Sequence, residues 1–299
     1  MKNIAHWISA FRLRTLPLAL SCILMAGFIA SRLHSFNWSV FSLTCLTIIF
    51  LQVLSNIAND YGDSIHGADG EHRKGPKRAV SEGNISKNAM KKAIIALSTL
   101  SLISGILLLK VSVGINNEAF LYMLALGVLC IIGAITYTMG KKPYGYAGLG
   151  DLSVLFFFGF VGVIGSLFLF THEVELAYIL PALSLGLFST AVLNVNNVRD
   201  IESDKIANKL SLPVRIGREK AVIYHWFLLG GGIISAIIFT LTNYHSSFQW
   251  LFLLSVPLFV KNGLAVQKYK EPQKLDPFLK QMALSTLLFV ILFGIGYIL

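Results

Sequence analysis

The stretch Phe41-Ser-Leu-Thr-Cys-Leu-Thr-Ile-Ile-Phe-Leu-Gln-Val-Leu-Ser55 is followed directly by Asn56-Ile-Ala-Asn-Asp-Tyr-Gly-Asp-Ser-Ile-His-Gly-Ala-Asp69. The first segment is apolar enough to enter a membrane, whereas the second holds two asparagines and three aspartates. Ionisable residues at the edge of a membrane span are costly, and they usually serve a function. These two segments therefore predict a membrane helix that ends in a functional acidic motif.

The composition of the whole chain agrees with a membrane protein. Hydrophobic residues make up 55% and charged residues 13% of the 299 residues, and the mean hydropathy is +0.69. Soluble domains carry roughly 25% charged residues. Apolar stretches of about 20 residues, long enough to cross the hydrocarbon layer, predict an all-α polytopic protein with nine transmembrane helices, centred near Ala19, Ile48, Leu100, Leu126, Phe158, Leu187, Gly231, Leu254 and Leu288.

The basic residues predict how these helices are oriented, because cytoplasmic loops retain Lys and Arg. With a cytoplasmic N-terminus and an external C-terminus, 23 of the 25 basic residues lie inside and only Arg32 and Lys110 lie outside. The net charge of +10 is then a property of one membrane face, not the mark of a nucleic-acid-binding protein. Such a face attracts anionic lipids and anionic substrates.

No long linker divides the chain, so we expect one intramembrane domain over residues 1–299, a bundle around a central cavity that opens to the cytoplasm. The two long inward loops, residues 59–89 and 196–220, hold most of the polar residues. The second of them overlaps the stretch Asn194-Val-Asn-Asn-Val-Arg-Asp-Ile-Glu-Ser-Asp-Lys-Ile-Ala-Asn-Lys209. Its likeness to the first motif, four spans earlier, suggests an internal repeat with a site shared between the halves.

Helical spacing groups the polar residues of each motif. In the first motif Asn59 and Asp63 share one face with Asp60 beside them, and in the second Asn196, Asp200 and Asp204 recur at steps of four. Carboxylates held together need a counter-charge. A divalent cation such as Mg²⁺ supplies it and completes its shell with water and phosphate oxygens.

Basic residues within or beside the motifs, namely Arg78, Arg199 and Lys209, favour a diphosphate ligand. A diphosphate at the mouth of an apolar bundle suggests a lipid diphosphate whose tail enters the membrane interior. Departure of the diphosphate, assisted by Mg²⁺, would leave an allylic carbocation. Aromatic faces can stabilise that cation, and a dry site protects it from water.

The motifs resemble those of the UbiA-type family of intramembrane prenyltransferases. The resemblance rests on Trp7–Pro17, on Asn59–Asp63 with Gly67 and Asp69, on Tyr137-Thr138 with Pro143–Asp151, and on Asn196–Asp200 with Asp204 and Lys209. It covers essentially the whole chain and implies nine helices, Mg²⁺ and a polyprenyl diphosphate. Within the family, the Gly67 and Asp69 spacing is similar to the branch that prenylates 1,4-dihydroxy-2-naphthoate.

The resemblance also implies roles for individual residues. It implies metal ligation by Asn59, Asp60, Asp63, Asp69, Asn196, Asp200 and Asp204. It implies diphosphate binding by Asn59, Arg78, Arg199, Lys209 and Lys142. It implies a catalytic region of Asp63, Asp200, Asp204, Tyr137, Tyr146 and Asp151. Alternatives stay open for several of these, since an interfacial Tyr is commonly a membrane anchor and Lys142 also fits the positive-inside pattern.

By this resemblance the protein lies in the bacterial cytoplasmic (inner) membrane and takes part in menaquinone biosynthesis. It would transfer a polyprenyl group to 1,4-dihydroxy-2-naphthoate with loss of CO₂, giving demethylmenaquinol. Another aromatic acceptor, such as 4-hydroxybenzoate, is one alternative. A secondary transporter is the alternative from a different class, although transport usually requires polar groups near the bilayer midplane.

Overall fold

The computed structural model describes residues 2–67, 78 and 80–299, and over these residues the chain folds into helices without a strand. Nine helices in this part of the chain are long and apolar enough to cross a membrane. Each contains one of the predicted centres, so the prediction of an all-α polytopic protein is confirmed. The spans are α1 (Ile4–Arg32), α2 (Trp38–His66), α3 (Lys87–Ser112), α4 (Glu118–Thr136), α5 (Gly150–Thr171), α6 (Leu176–Arg199), α7 (Arg218–Thr242), α8 (Ser247–Lys268) and α9 (Pro272–Ile298).

Large apolar side chains cover the outside of the bundle, which suits contact with lipid rather than water. The helix α4 shows this most clearly, because Leu121 and Tyr122 are 69% and 75% exposed. Inside, one group of buried apolar side chains joins mainly α1 and α5 to α9, and a second joins mainly α2, α3 and α4. A cavity lies where these two groups face each other.

The first span contains a break that the sequence pattern did not predict. The short helix Lys2–Phe11 ends before Arg12, whose φ of 49° is left-handed, and a 3₁₀ turn Leu13–Thr15 leads into the helix Leu16–Arg32. Pro17 lies in the first turn of that helix, where a missing N–H group costs little. Because the chain turns here, Arg12 and Arg14 both reach the wall of the cavity.

The helix α2 keeps the whole of the first acidic motif up to His66 in helical form. Its 29 residues correspond to about 43 Å at 1.5 Å per residue, which exceeds the hydrocarbon thickness. The side chain of Asn37 caps its start by accepting hydrogen bonds from the N–H groups of Ser39 and Val40. Gly67 ends it with a φ of 77°, a conformation that glycine adopts without steric cost. The predicted common face of Asn59 and Asp63 is therefore real, whereas Asp69 lies outside the described residues.

The second acidic motif bends where the sequence predicted continuous helix. The helix α6 ends at Arg199, Asp200 forms the junction, and a short helix, Ile201–Ile206, follows. The backbone nevertheless preserves the helical spacing, because the Asp200 N–H donates to Asn196 O and the Asp204 N–H donates to Asp200 O, at 3.1 and 2.8 Å. The expected steps of four thus survive across a change in helix direction.

A chain of buried amide and imidazole groups fixes α6 against the last three helices. The Asn194 amide lies 3.3 Å from His225 Nδ1, and His225 Nε2 lies 3.0 Å from Asn262 Oδ1. Asn262 in turn donates to the side chain of Gln281 on α9. Since Asn194 faces this network, Asn196, two residues further on, faces the opposite side of α6, toward the cavity.

Candidate active site

The cavity has a volume of about 380 Å³ and is bounded mainly by α1 to α6. On α2 its wall extends from Thr44 to Asp63, a distance of about 28 Å along the helix axis. Both acidic motifs contribute to its polar end, which is lined by Arg12, Arg14, Asn59, Asp63, Arg78, Asn196, Asn197 and Lys209. The remainder of the wall is mostly apolar, so the cavity joins a charged mouth to an apolar interior.

The structure brings some of the predicted site residues to the cavity and leaves others outside it. Those that line it are Asn59, Asp63, Arg78, Tyr137, Asn196 and Lys209. Those that do not are Asp60, Lys142, Tyr146, Asp151, Arg199, Asp200 and Asp204. Lys142 is exposed.

Two arginines hold the carboxylates of the first motif. Arg78 lies between them, with Nη1 at 2.5 Å from Asp63 Oδ2 and Nε at 3.3 Å from Asp60 Oδ1, and Arg12 forms a second ion pair with Asp60. Both aspartates are 2% exposed. Buried charges of this kind need partners. Arg78, which follows the motif in the sequence, supplies one for both aspartates.

Arg199 performs the same task for the second motif. Its guanidinium bonds to Asp200 at 2.7 Å, to Asn196 Oδ1 at 2.8 Å and to Asp276 at 2.6 Å, with its side chain 1% exposed. Arg199 therefore neutralises carboxylates inside the protein instead of lining the cavity. The expected contact of Arg199 with the diphosphate stays a prediction that this placement does not support.

Asp204 is buried beside Lys209 at the end of the second motif. The Ser211 hydroxyl donates to its carboxylate at 3.1 Å, and Lys209 Nζ lies 3.5 Å away. Burial raises the pKa of Asp204 above its usual range, Lys209 opposes this increase, and the nearby Asp200 and Asp63 charges add to it. Burial therefore favours the protonated form of Asp204, and Lys209 favours the charged form.

Tyr146 connects the two motifs directly. Its hydroxyl donates to Asp63 Oδ1 at 2.8 Å, and Lys209 Nζ lies 5.7 Å from the centre of its ring. The backbone N–H of Leu210 donates to Tyr146 O at 3.0 Å. The loop between α4 and α5 thereby ties the first acidic motif to the second.

Tyr137 and Tyr144 form an aromatic wall just below the mouth, both lining the cavity. Their rings meet edge to face at 5.3 Å. Burial, followed by the Asp151 and Tyr144 charges, raises the pKa of Tyr137 above its usual range. Tyr137 is therefore a neutral phenol at physiological pH, able to donate a hydrogen bond and to present a π face. Asp151 lies behind this wall, beside Tyr224, and one of its carboxylate oxygens is buried without a hydrogen-bond partner.

The sequence did not single out several residues that the fold brings to this site. Asp276 of α9 pairs with Arg199 and lies 3.7 Å from Arg14. The Thr138 hydroxyl donates to Asn59 Oδ1 at 3.2 Å, and it can come this close because Gly62 has no side chain in the way. Arg12 and Arg14 were recognisable only as cytoplasmic charges and as part of the Trp7–Pro17 stretch, since nothing local predicts the turn between them.

The oxygen donors of the two motifs suit Mg²⁺ in kind, since they are carboxylates and amides. Among the described residues, no three His, Cys, Asp or Glu side chains lie together in a way that could hold a metal ion. The four aspartates of the motifs that the structure describes, Asp60, Asp63, Asp200 and Asp204, are instead each paired with Arg or Lys. Metal binding at this mouth would therefore replace ion pairs that already balance the charge.

The described residues form nine spanning helices around a cavity with a charged mouth and an apolar interior, an arrangement that suits an intramembrane enzyme of lipid chemistry. The model of the UbiA prenyltransferase family matches residues 19–293, and the chain belongs to this family. It is therefore an integral membrane protein, and the transporter hypothesis is set aside.

Two relatives are similar over almost their entire lengths. The 1,4-dihydroxy-2-naphthoate octaprenyltransferase of Haemophilus influenzae is 42% identical over 297 residues, covering 99% of this chain and 96% of that one. The enzyme of the same name from Escherichia coli is 43% identical over 290 residues, covering 97% and 94%. Both relatives are named for 1,4-dihydroxy-2-naphthoate, the acceptor of the branch that the Gly67 and Asp69 spacing predicted.

Solved structures agree in fold. The UbiA homolog from Archaeoglobus fulgidus bound to GPP and Mg²⁺ superposes with a TM-score of 0.63 at 20% identity, covering 97% of this chain and 99% of that one. The apo UbiA homolog from Aeropyrum pernix K1 superposes with a TM-score of 0.68 at 16% identity, covering 92% and 95%.

Proposed function

We propose that this protein transfers a polyprenyl group from polyprenyl diphosphate to 1,4-dihydroxy-2-naphthoate, releasing CO₂ and diphosphate and giving demethylmenaquinol for menaquinone biosynthesis. The single observation that carries the proposal is the cavity, whose mouth joins two acidic motifs and whose interior is apolar. The names of the relatives at 42% and 43% identity support the choice of acceptor.

In this proposal the diphosphate binds at the mouth. Lys209, Arg78 and Arg12 line the cavity there, and their charges suit the phosphate oxygens. Mg²⁺ would be held by oxygens drawn from Asn59, Asp63, Asn196, Asp200 and Asp204, and Asp69 is a further candidate outside the described residues. Asp60 is paired with Arg12 and Arg78 and does not line the cavity, so its expected metal role is not part of this proposal. The chemistry expected of the ion is neutralisation of the charge that develops on the departing diphosphate.

The prenyl tail would occupy the apolar part of the cavity, with its reactive carbon next to the aromatic wall. Tyr137, Tyr144 and Phe157 line the cavity on this side. Their ring faces would stabilise the allylic cation formed when the C–O bond breaks. The apolar surroundings would keep water from reaching the cation before the acceptor does.

The acceptor can react without a general base. Attack by the ring carbon that bears the carboxylate forms the new C–C bond. Loss of CO₂ then returns the bonding electron pair to the ring, so that no proton has to be removed. Tyr137, which stays neutral, would orient the acceptor through hydrogen bonding, and Tyr146 and Asp151 would support the region around it.

We also propose a place for the enzyme in the bacterial inner membrane, with the N-terminus and the mouth on the cytoplasmic side and the C-terminus outside. The distribution of 23 of the 25 basic residues supports this orientation. Both substrates would then reach the mouth from the compartment or leaflet on that side. A membrane-impermeant amine label applied to intact cells tests the orientation, because the lysines of the two long loops should stay unlabelled until the membrane is opened. Labelling of these lysines in intact cells would contradict the orientation.

The acceptor is tested by incubating purified protein with Mg²⁺, octaprenyl diphosphate and either 1,4-dihydroxy-2-naphthoate or 4-hydroxybenzoate, followed by product mass. We expect one product, the prenylated and decarboxylated naphthoate, and no product when Mg²⁺ is chelated. Prenylation of 4-hydroxybenzoate without prenylation of the naphthoate would overturn the assignment.

A further inference from the structure

Three glycines from three different helices line the apolar part of the cavity, away from the mouth. They are Gly105 on α3, Gly127 on α4 and Gly165 on α5. The neighbouring cavity wall consists of apolar side chains, among them Leu108 and Leu169. Glycine inside a helix is destabilising relative to alanine, so its presence at all three positions calls for a physical reason.

Backbone conformation and close helix packing do not supply that reason. None of the three glycines has a positive φ. A Cβ atom added at Gly105 would come no closer than 3.9 Å to Thr47, one at Gly165 no closer than 3.8 Å to Val161, and one at Gly127 would meet nothing within 4 Å.

Other helical glycines of the same bundle behave differently. An added Cβ at Gly159 would lie 2.8 Å from Ala182 O, and one at Gly186 would lie 2.7 Å from Leu155 Cδ1. Those glycines allow α5 and α6 to approach closely, which is the usual use of glycine in membrane helices. The three cavity glycines instead preserve empty space.

The position of Gly105 shows which part of a ligand would use this space. Gly105 faces Thr47, which precedes Asp63 by 16 residues on α2, or about 24 Å along the helix axis. Even at ~1.5 Å per carbon–carbon bond, the seven main-chain bonds of a geranyl group span less than about 11 Å. Only a prenyl chain longer than geranyl whose diphosphate lies at the mouth can therefore reach Gly105.

We propose that Gly105, Gly127 and Gly165 form a tail cradle that accepts the distal isoprene units and sets the longest prenyl chain that the enzyme binds. This inference rests on the proposed function, because it takes a polyprenyl diphosphate as the ligand. It adds residues that determine substrate length, at a distance from the charged mouth. A side chain placed in the cradle shortens the chain that fits while leaving the diphosphate contacts unchanged.

The test compares the affinities of octaprenyl diphosphate and geranyl diphosphate in the presence of Mg²⁺ and the absence of any acceptor. Gly105→Leu, Gly165→Leu and Gly127→Leu are measured beside Gly230→Leu. Gly230 is a matched control because it is also a helical glycine with nothing within 4 Å of an added Cβ, yet it does not line the cavity. Gly105→Ala provides a smaller change if the Leu variant fails to fold.

We expect each of Gly105→Leu, Gly127→Leu and Gly165→Leu to weaken octaprenyl diphosphate binding by about tenfold or more, as overfilling an apolar site does. Geranyl diphosphate binding and the behaviour of Gly230→Leu should stay within about twofold of the unmodified protein. Equal weakening of both diphosphates, no weakening of either, or the same selectivity in Gly230→Leu would overturn the proposal.

The acceptor assay separates this inference from the proposed function. If 1,4-dihydroxy-2-naphthoate is not prenylated but the cradle variants still discriminate against octaprenyl diphosphate, the acceptor is wrong and the cradle stands. If the naphthoate is prenylated and the variants use octaprenyl and geranyl diphosphate in the same ratio as the unmodified protein, the function stands and the cradle is wrong.

Discussion

The hydroxyl of Tyr146 donates a hydrogen bond of 2.8 Å to the carboxylate of Asp63. This bond joins the loop after α4 to the first acidic motif, while the same tyrosine contacts Lys209 at the end of the second motif and the adjacent Leu210. The two motifs lie far apart in the sequence, and a third segment, the loop that carries Tyr146, contacts both of them. Tyr146 therefore holds the two halves of the mouth in register.

Replacing Tyr146 by Phe should lower kcat/KM by about ten- to a hundredfold, because a hydrogen bond to a charged group contributes roughly 1.5–3 kcal/mol. The phenyl ring would remain beside Lys209, so the loss would come from the hydroxyl alone. Initial rates at varied polyprenyl diphosphate and Mg²⁺ concentrations measure the effect.

Tyr244→Phe is the matched control for that variant. Tyr244 is exposed and its hydroxyl contacts only Ser247 among the contacts described for it, so its removal should leave kcat/KM unchanged. A Tyr146→Phe enzyme with unaltered kcat/KM would show that Asp63 keeps its position without the bond.

Asp63 and Asp60 should respond differently to the same substitution, although they are three residues apart on one helix. Asp63 lines the cavity, whereas Asp60 faces Arg12 and Arg78 behind the wall. We expect Asp63→Asn to reduce kcat by about 10²–10³, the range for loss of a charge-stabilising group. Asp60→Asn should cost roughly 3–5 kcal/mol of stability, since it breaks a buried ion-pair network.

Rates per folded molecule and thermal unfolding in detergent distinguish these two losses. If Asp60→Asn retains full stability and loses activity as completely as Asp63→Asn, both carboxylates act on the ligand and the division between them is wrong.

The local pattern of the sequence was sufficient for the helices and for the composition of the mouth. Apolar stretches of about 20 residues predicted the nine spans found among the described residues, and the spacing of Asn59 and Asp63 predicted their common face. Both features depend on residues that are close in sequence. The partner of Arg199 could not be found in this way, since Asp276 is 77 residues away. The left-handed turn at Arg12 and the space beside Gly105 likewise depend on how helices pack.

Arg199 should be a stabilising residue more than a ligand-binding one. Arg199→Met removes the guanidinium that bonds to Asp200 and Asp276, and removing one partner of a buried ion pair costs about 3–5 kcal/mol. We expect little folded protein in the membrane, measured by fluorescence-detected size exclusion of a tagged chain. Arg199→Lys should recover only part of the loss, because Lys cannot form the bidentate contact made by the guanidinium group.

Adding Asp276→Asn to Arg199→Met provides the control, because it removes one of the two carboxylates that Arg199 neutralises and should restore part of the stability. A well-folded Arg199→Met protein with weaker diphosphate binding would instead support the role in ligand binding that the family resemblance implied.

The buried carboxylate of Asp204 should make the ligand-free protein less stable as the pH rises. Its pKa is raised in the folded protein, chiefly by burial, above the value of about 3.9 for an exposed Asp. Above about pH 4 the unfolded chain loses this proton first, so the free energy of unfolding falls until the pH passes the folded pKa. Asp204→Asn can still accept the Ser211 hydrogen bond but has no charge to bury.

Unfolding temperatures in EDTA should therefore be higher for Asp204→Asn than for the unmodified protein at pH 7. The difference should shrink toward pH 4, and prenyl transfer should be lost in the variant. Added Mg²⁺ should reverse the order at pH 7, because a ligand that binds only the folded state stabilises it and the variant lacks one ligating oxygen. A difference that stays constant between pH 4 and pH 7 would mean that the charge of Asp204 does not oppose folding.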